Sequence, residues 1–290
     1  MSPTDPLAFA PAACGTGGLP RRVPEPAGHP HGVCATARIR AGHNGRVTTL
    51  PQLRSDGPFH LRRLRTGGNA AAVGIIGAMS APLGGDRLCL DITAEDRAEL
   101  EVTTAAATLA LRGPTTAAAT YDLRLTVGEH ATLRWLPQPL ISAAGSNLRQ
   151  TCTVELDVTA RLTLREEQIL GRAGEEPGHL VSRILVRCAG RTMLDQHTAY
   201  GNPVPGWDGP AVLNGHRAVG QLLLVDPAMA ARKDPVLLDK GKGGRAVLSP
   251  LAGGPALLAT AVAPTSSVLR ELLDEAHAHA LGKQHGRPGA

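Results

Sequence analysis

The chain has 290 residues, enough for one large domain or two small ones, and 42% are apolar, so a sizeable core can be buried. Aromatic residues make up only 2% and the +5 formal charge is spread without a basic block, a composition ill-suited to stacking on nucleic acid. Five widely spaced cysteines without a CxxC pair exclude a disulfide framework and a structural zinc site, and no apolar run is long enough to span a membrane.

Residues 1–32 hold seven prolines and five glycines without periodicity, and a disordered tail is expected there. His29 and His31 flank a proline in this tail; metal capture is weighed and incidental placement preferred. The N-terminus lacks a basic stretch followed by an apolar one, so a cytoplasmic protein is the expectation.

Residues 33–40 alternate as a first strand, and residues 46–65 read as two short strands around Asp56-Gly57-Pro58. Arg62, Arg63 and Arg65 suit either an acidic partner or a solvated strand face, and the face is preferred. A small apolar run over 71–79 predicts a buried strand, followed by a turn at Gly84-Gly85-Asp86. Asp86 is open to two readings, a metal ligand or a carboxylate bonded to backbone amides in its turn, and the second is preferred.

Leu88, Leu90 and Ile92 alternate with Cys89 and Asp91, the period of a half-buried strand. Further strands are predicted over 98–104, 107–112, 118–127 and 131–136, with Trp135 buried and Pro137 ending its strand. Residues 148–157 point Cys152, Val154 and Leu156 inward, and 161–170 do the same with Leu162 and Leu164.

Glu166 and Glu167 then group with Gly171-Arg172 and Glu175-Glu176 as the densest acidic cluster. A polar turn with surface ion pairs is the preferred reading. Catalysis would require a second acid at a defined separation and a pocket, and a passage for divalent ions would use the same carboxylates as hard, exchangeable ligands.

A hairpin is predicted for 179–188 and 191–200, a loop for 201–210, a strand with a buried middle for 212–225, and a polar Gly-rich stretch for 232–245. Gly241, Gly243 and Gly244 do not complete a phosphate loop. After Pro264, a Thr-Ser-Ser cap precedes Val268, Leu269, Leu272, Leu273 and Ala276 at helical spacing. His277 and His279, two apart, diverge on a helix and are read as its frayed polar end. The sum is a mostly β protein with a small C-terminal helical part: one domain over 33–282, with tails at 1–32 and 283–290.

The order of Gly84-Gly85-Asp86, Thr103-Thr104 before an Ala-rich strand, Trp135-Leu136-Pro137-Gln138, and Gly171-Arg172 resembles the urease accessory protein D family, also called UreD or UreH. The resemblance covers roughly residues 50–200, and its motif positions are Gly84, Gly85, Asp86, Thr104, Trp135, Pro137, Gln138, Gly171 and Arg172. It implies a coiled or solenoid-like multi-strand β-sheet protein. It also implies a non-catalytic maturation factor, a chaperone that helps insert nickel into apo-urease. Implied partners are apo-urease, urease accessory protein F and, through it, the GTPase urease accessory protein G. No tightly bound cofactor is implied, only transient Ni2+, for which Asp86, Glu166, Glu167 and Glu175 are the candidates.

No nucleophile–base pair, HExxH, Walker loop or dinucleotide fingerprint is present. The competing reading is a β-solenoid or β-sandwich hydrolase or lyase using Glu166, Glu167, Asp195 and His197, which predicts a pocket where acid and base converge. A third is a binding module for an acidic protein through Arg62, Arg63 and Arg65.

Overall fold

A computed structural model describes residues 32–282 apart from 230–233, 240, 242 and 253. The chain opens with β1 (Cys34–His43), β2 (Thr48–Arg54), β3 (Phe59–Leu64) and β4 (Ala71–Gly77). It then winds through β5 (Arg87–Ala94), β6 (Glu99–Thr104), the short β7 (Thr108–Ala110), β8 (Ala119–Val127), β9 (Thr132–Leu136) and the short β10 (Leu140–Ser142). Next come β11 (Asn147–Leu156), β12 (Arg161–Leu170), β13 (His179–Cys188) and β14 (Arg191–Tyr200). Last are β15 (Ala218–Val225), β16 (Val236–Asp239), β17 (Arg245–Pro250), β18 (Ala256–Ala263) and a helix, α1 (Ser266–Ala280).

Strands alternate between two sheets. One has the order β14-β13-β11-β8-β5-β1-β2, and the other runs β16-β17-β18-β15-β12-β9-β6-β4-β3, with β7 and β10 joined at its side. From β4 to β13 each strand pairs in parallel with the one a full coil away, as β5 with β8 and β8 with β11. The result is a solenoid-like stack, with 55% of the described residues in strands and 6% in helix. The expectation of a mostly β, coiled protein ending in a small helical part therefore holds.

A repeated corner explains the winding. At 95–98, 128–131 and 157–160 the chain turns from one sheet to the other, and the last residue donates its N–H to the carbonyl three back. That residue is always alanine: Ala98, Ala131 and Ala160 are at most 1% exposed. Stacked corners leave space for a methyl and little more. Side chains clip one coil to the next, with the Glu129 N–H donating to Asp96 Oδ1 and the His130 N–H to Thr159 Oγ1.

Between the sheets lies the larger core, built on Ile39, Leu90, Leu100, Leu125, Leu133 and Leu148, each contributing about 1.5–3 kcal/mol by leaving water. A second core forms on the far side of the second sheet, where Leu222, Leu248, Leu257 and Ala261 meet Leu269, Leu272 and Leu273 of α1. β15 is buried along its whole length because its two faces serve the two cores. Gly220 lets the helix approach: a Cβ there would stand 3.0 Å from both the Glu166 carbonyl and Leu273 Cδ1.

α1 starts where the sequence predicts, with Thr265 Oγ1 accepting the Val268 N–H at 3.4 Å. Three expectations are corrected. β15 begins at Ala218, since 212–217 is taken up by turns. β16, β17 and β18 form where a polar stretch, or nothing, was anticipated, because antiparallel pairing along β15 supplies their partners. His277 and His279 lie in the regular last turn of α1, where the Leu281 N–H still finds the His277 carbonyl, so that end is not frayed. The expected tails, with His29 and His31, fall outside the described residues except for Gly32.

Candidate functional site

β12 separates the two carboxylates that stand side by side in the sequence. Alternation sends Glu166 inward with Leu162, Leu164 and Leu170, while Glu167 faces α1 with Arg165. Both are buried, at 6% and 4% exposure, so the expected polar turn with surface ion pairs is wrong for this pair. The turn comes only after Leu170, and on the outer face of β12 α1 covers Glu167 while Thr163, Arg165 and Ile169 stay half-buried.

Glu166 has one polar side-chain bond, from Gln150 Nε2 to its Oε1 at 3.3 Å. Burial pushes its carboxyl up to about 7, and the Gln150 amide only partly opposes this. Burial also raises the Cys152 thiol and the Tyr121 and Tyr200 phenols, with the Glu166 charge adding to each shift. These are the two tyrosines of the chain, and both sit near the same acid.

Glu167 is bound instead into an ionic network. Its Oε1 lies 2.7 Å from Arg165 Nε and 3.6 Å from Arg270 Nε. Arg165 continues to Asp274 Oδ1 at 2.6 Å and to the Arg270 carbonyl at 3.3 Å, fastening α1 to the sheet. Removing one member of such a buried set leaves an uncompensated charge.

Three successive cavities run between the sheets. The outermost holds about 300 Å³ and is largely apolar, lined by Phe59, Ile75, Met79, Pro82 and Leu111. It shares Thr104 and Tyr121 with a middle cavity of about 30 Å³, lined also by Trp135, Gln138, Gln150 and Glu166. Glu166 and Gln168 are shared in turn with a third cavity of about 10 Å³ toward the edge strand β14, beside Ser182, Gln196, Tyr200 and Gln221. The two smaller spaces are the size of one or two waters. Among the described residues, Gln150 Oε1, Gln196 Oε1 and Gln221 Oε1 are buried oxygens without a hydrogen-bond donor. The two smaller spaces thus offer the Glu166 carboxyl and a set of neutral oxygens, with Glu167 also at the wall of the middle cavity but paired to Arg165 and Arg270.

The other motif residues hold backbone. Asp86 accepts the Val33 N–H and the Leu83 N–H, both at 2.8 Å, so it ties its own turn to the first strand. Gly84 packs its Cα against neighbouring backbone, where a Cβ would stand 2.7 Å from the Thr115 carbonyl, and Gly85 turns at φ +94. Trp135 is core and Pro137 follows the end of β9. Gly171 sits at φ +86, and a Cβ there would be 2.7 Å from the Glu175 carbonyl. Arg172 grips Glu175 with Nε and Nη2, each at 2.9 Å, and the Arg172 and Ala144 amides bond the same carboxylate. These donors pull Glu175 down to about 2.

Asp195 and His197 are exposed on β14, with Asp195 paired to Arg183 at 2.9 and 2.7 Å, while the intervening Gln196 lines the smallest cavity. The structure does not bring them to Glu166. Arg62, Arg63 and Arg65 are exposed at β3 and the residue beyond it. Among the described residues no three His, Cys, Asp or Glu side chains are grouped to hold a metal ion.

Sequence reasoning passed over Gln150, Gln168, Gln196, Gln221, Tyr121 and Tyr200. Their signal was available for Gln150 and Gln168: each occupies an inward position on a strand whose other inward residues are mostly apolar.

Residues 33–290 match the family model described as UreD urease accessory protein. "Urease accessory protein UreD 2" of Saccharopolyspora erythraea is 63% identical over 247 residues, 84% of this chain and 87% of its own length. "Urease accessory protein UreD 3" of Streptomyces griseus is 56% identical over 249 residues, 84% of this chain and 95% of its own. "Urease accessory protein UreD" of Frankia alni is 33% identical over 273 residues, with 82% and 90% covered.

Proposed function

The chain belongs to the UreD urease accessory protein family, and from that premise we propose that it is a non-catalytic maturation factor that docks on apo-urease and assists nickel insertion. It works with urease accessory protein F and, through it, with the GTPase urease accessory protein G. Nickel is cargo here, passing between the sheets without a resident site. The protein acts in the cytoplasm; no helix among the described residues is long and apolar enough to cross a membrane.

The observation that carries this reading is Glu166, a buried carboxyl shared by two cavities with a pKa near 7. At neutral pH such a group exchanges its proton for a divalent cation at little cost. One carboxylate without a cationic partner, among neutral amide and hydroxyl oxygens, binds such an ion weakly and releases it again, while Glu167 at the same wall is held by Arg165 and Arg270. A resident metal site would need three or four strong donors. The separation of Asp195 and His197 from Glu166 leaves the hydrolase alternative without support.

Glu166→Gln tests the reading directly. Apo-urease is co-expressed with nickel, the other accessory proteins and either form of this chain. The expected result is unchanged co-purification with apo-urease and a drop of about tenfold in urea hydrolysis, equivalent to roughly 1.4 kcal/mol. Full activation by the variant would remove Glu166 from the route, and failure of the unsubstituted chain to co-purify would remove the docking role.

A further inference from the structure

The wall between the outer and middle cavities is held from the far side of the sheet. Residues 136–140 turn from β9 to β10 along this wall, and three hydrogen bonds tie them to the end of β6 and the start of β7. Thr103 Oγ1 donates to the Leu136 carbonyl at 2.8 Å, the Gln138 N–H to Thr104 Oγ1 at 2.8 Å, and the Thr108 N–H to the Pro139 carbonyl at 2.9 Å. Thr104, which accepts the Gln138 amide, lines both cavities.

The Gln138 side chain reaches the other way. Its Oε1 accepts from Arg270 Nη2 at 3.0 Å, across 132 residues of sequence. Arg270 sits on α1, where its Nε also lies 3.6 Å from the buried Glu167 carboxylate. A guanidinium can satisfy both with one rigid fork, which a lysine cannot. The helix that seals the second core therefore holds the corner that borders the first.

We propose that Arg270 is a positioning residue that sets the width of the neck between the outer and middle cavities, acting through Gln138 and Thr104. The neck stands on these contacts alone; that nickel is what passes it rests on the function proposed above. Without the guanidinium, the Gln138 side chain recovers its rotamers, and the corner keeps only its bonds to the 103–108 segment. Thermal opening at Thr104 and Tyr121 then becomes more frequent.

Cys152 reports such opening. It is fully buried, points inward two residues after Gln150, and lies in register with Leu123, which lines the middle cavity. Cys89, buried in the same sheet but outside the larger core cluster, reports general loosening. The full-length chain is treated with methyl methanethiosulfonate, a small neutral thiol reagent, and labelling of each cysteine is followed by peptide mass spectrometry. Arg270→Met and Gln138→Ala should each raise the Cys152 rate relative to Cys89 by about tenfold, the factor for one lost hydrogen bond to a charged group. The double variant should not exceed Arg270→Met by more than the error, because the contact that Gln138→Ala breaks is already gone in Arg270→Met.

A Cys152 rate unchanged relative to Cys89 overturns the proposal, as do additive effects in the double variant. Urease activation by the same variants reads the cargo separately. Faster labelling with unaltered activation keeps the neck and removes the nickel route, whereas unaltered labelling removes the neck whatever activation does.

Discussion

The two cores of this protein are built from similar residues and behave differently. Beneath α1 every buried side chain is Ala, Val or Leu, and the polar groups at its margin are locked into the Glu167–Arg165–Asp274 set. Between the coiled sheets the packing is equally apolar over most of its length, then admits Glu166, Gln168, Ser182 and Gln221 around small cavities. One side is closed by a helix and spends its polar groups on anchorage. Both sides leave buried polar atoms without a hydrogen-bond partner, but beneath α1 these are Arg165 Nε and Glu167 Oε2, members of the ionic set, whereas between the sheets they are neutral amide oxygens of Gln150, Gln196 and Gln221 beside cavities. The boundary between them is one strand, β12, with Glu166 on one face and Glu167 on the other.

The sharpest break of that contrast comes from the helix side. Leu272→Ala should destabilise the chain by about 2–5 kcal/mol, measured by urea unfolding, because it opens a cavity among fully buried residues. Urease activation per folded molecule should stay unchanged. A variant that folds normally but fails to activate would place function in the wrong core.

Glu166→Gln should do the reverse. The carboxyl rises from an ordinary 4.5 to about 7 in the fold, so its favourable contribution is full below 4.5 and is lost as pH climbs through 7. The neutral amide avoids that loss. Unfolding curves should show the variant equal to the native chain near pH 4 and more stable at pH 8, by on the order of 3 kcal/mol. Equal stability at both pH values would mean that the acid is solvated.

Gly171→Ala probes the exit from β12, where φ +86 and the Glu175 carbonyl at 2.7 Å leave no room for a Cβ. Thermal unfolding should report a loss of about 1–3 kcal/mol. The smallest effect belongs to Glu175→Gln, on the exposed side of that turn. Its carboxylate is held near 2 against an ordinary 4.5, so its contribution is present above 4.5 and disappears as pH falls through 2. The gap between native and variant melting temperatures should be widest at neutral pH and close in acid.

Much of this was legible from residue order. Alternation located the strands around Leu88 and Leu123, the Thr-Ser-Ser cap located α1, and the turn role preferred for Asp86 is the one its carboxylate performs. The Glu166–Glu167 pair was misread for a physical reason. Alternation says that neighbours face opposite ways, but not that both faces are covered, and adjacent acids are ordinarily a surface feature. Covering depends on α1, about a hundred residues later, and on β15, whose double burial has no periodic signature. The corner repeat was present as Ala98, Ala131 and Ala160, each followed two residues later by a leucine, but it takes the coil to see why a methyl is all that fits.

The parallel ladder of the first sheet has a consequence during synthesis. β1 bonds to β5, and the first tie between them, from Val33 to Asp86, spans 53 residues. Emerging from the ribosome, β1 has only the antiparallel β2 beside it until β5 arrives, and each later rung waits in turn for another strand of its own sheet. Long-range pairing of this kind forms slowly and leaves apolar strand edges open in the meantime. The growing end of the coil is therefore adhesive throughout translation, and overproduction without the cellular machinery that shields nascent chains should drive this protein into aggregates at rates that follow synthesis speed.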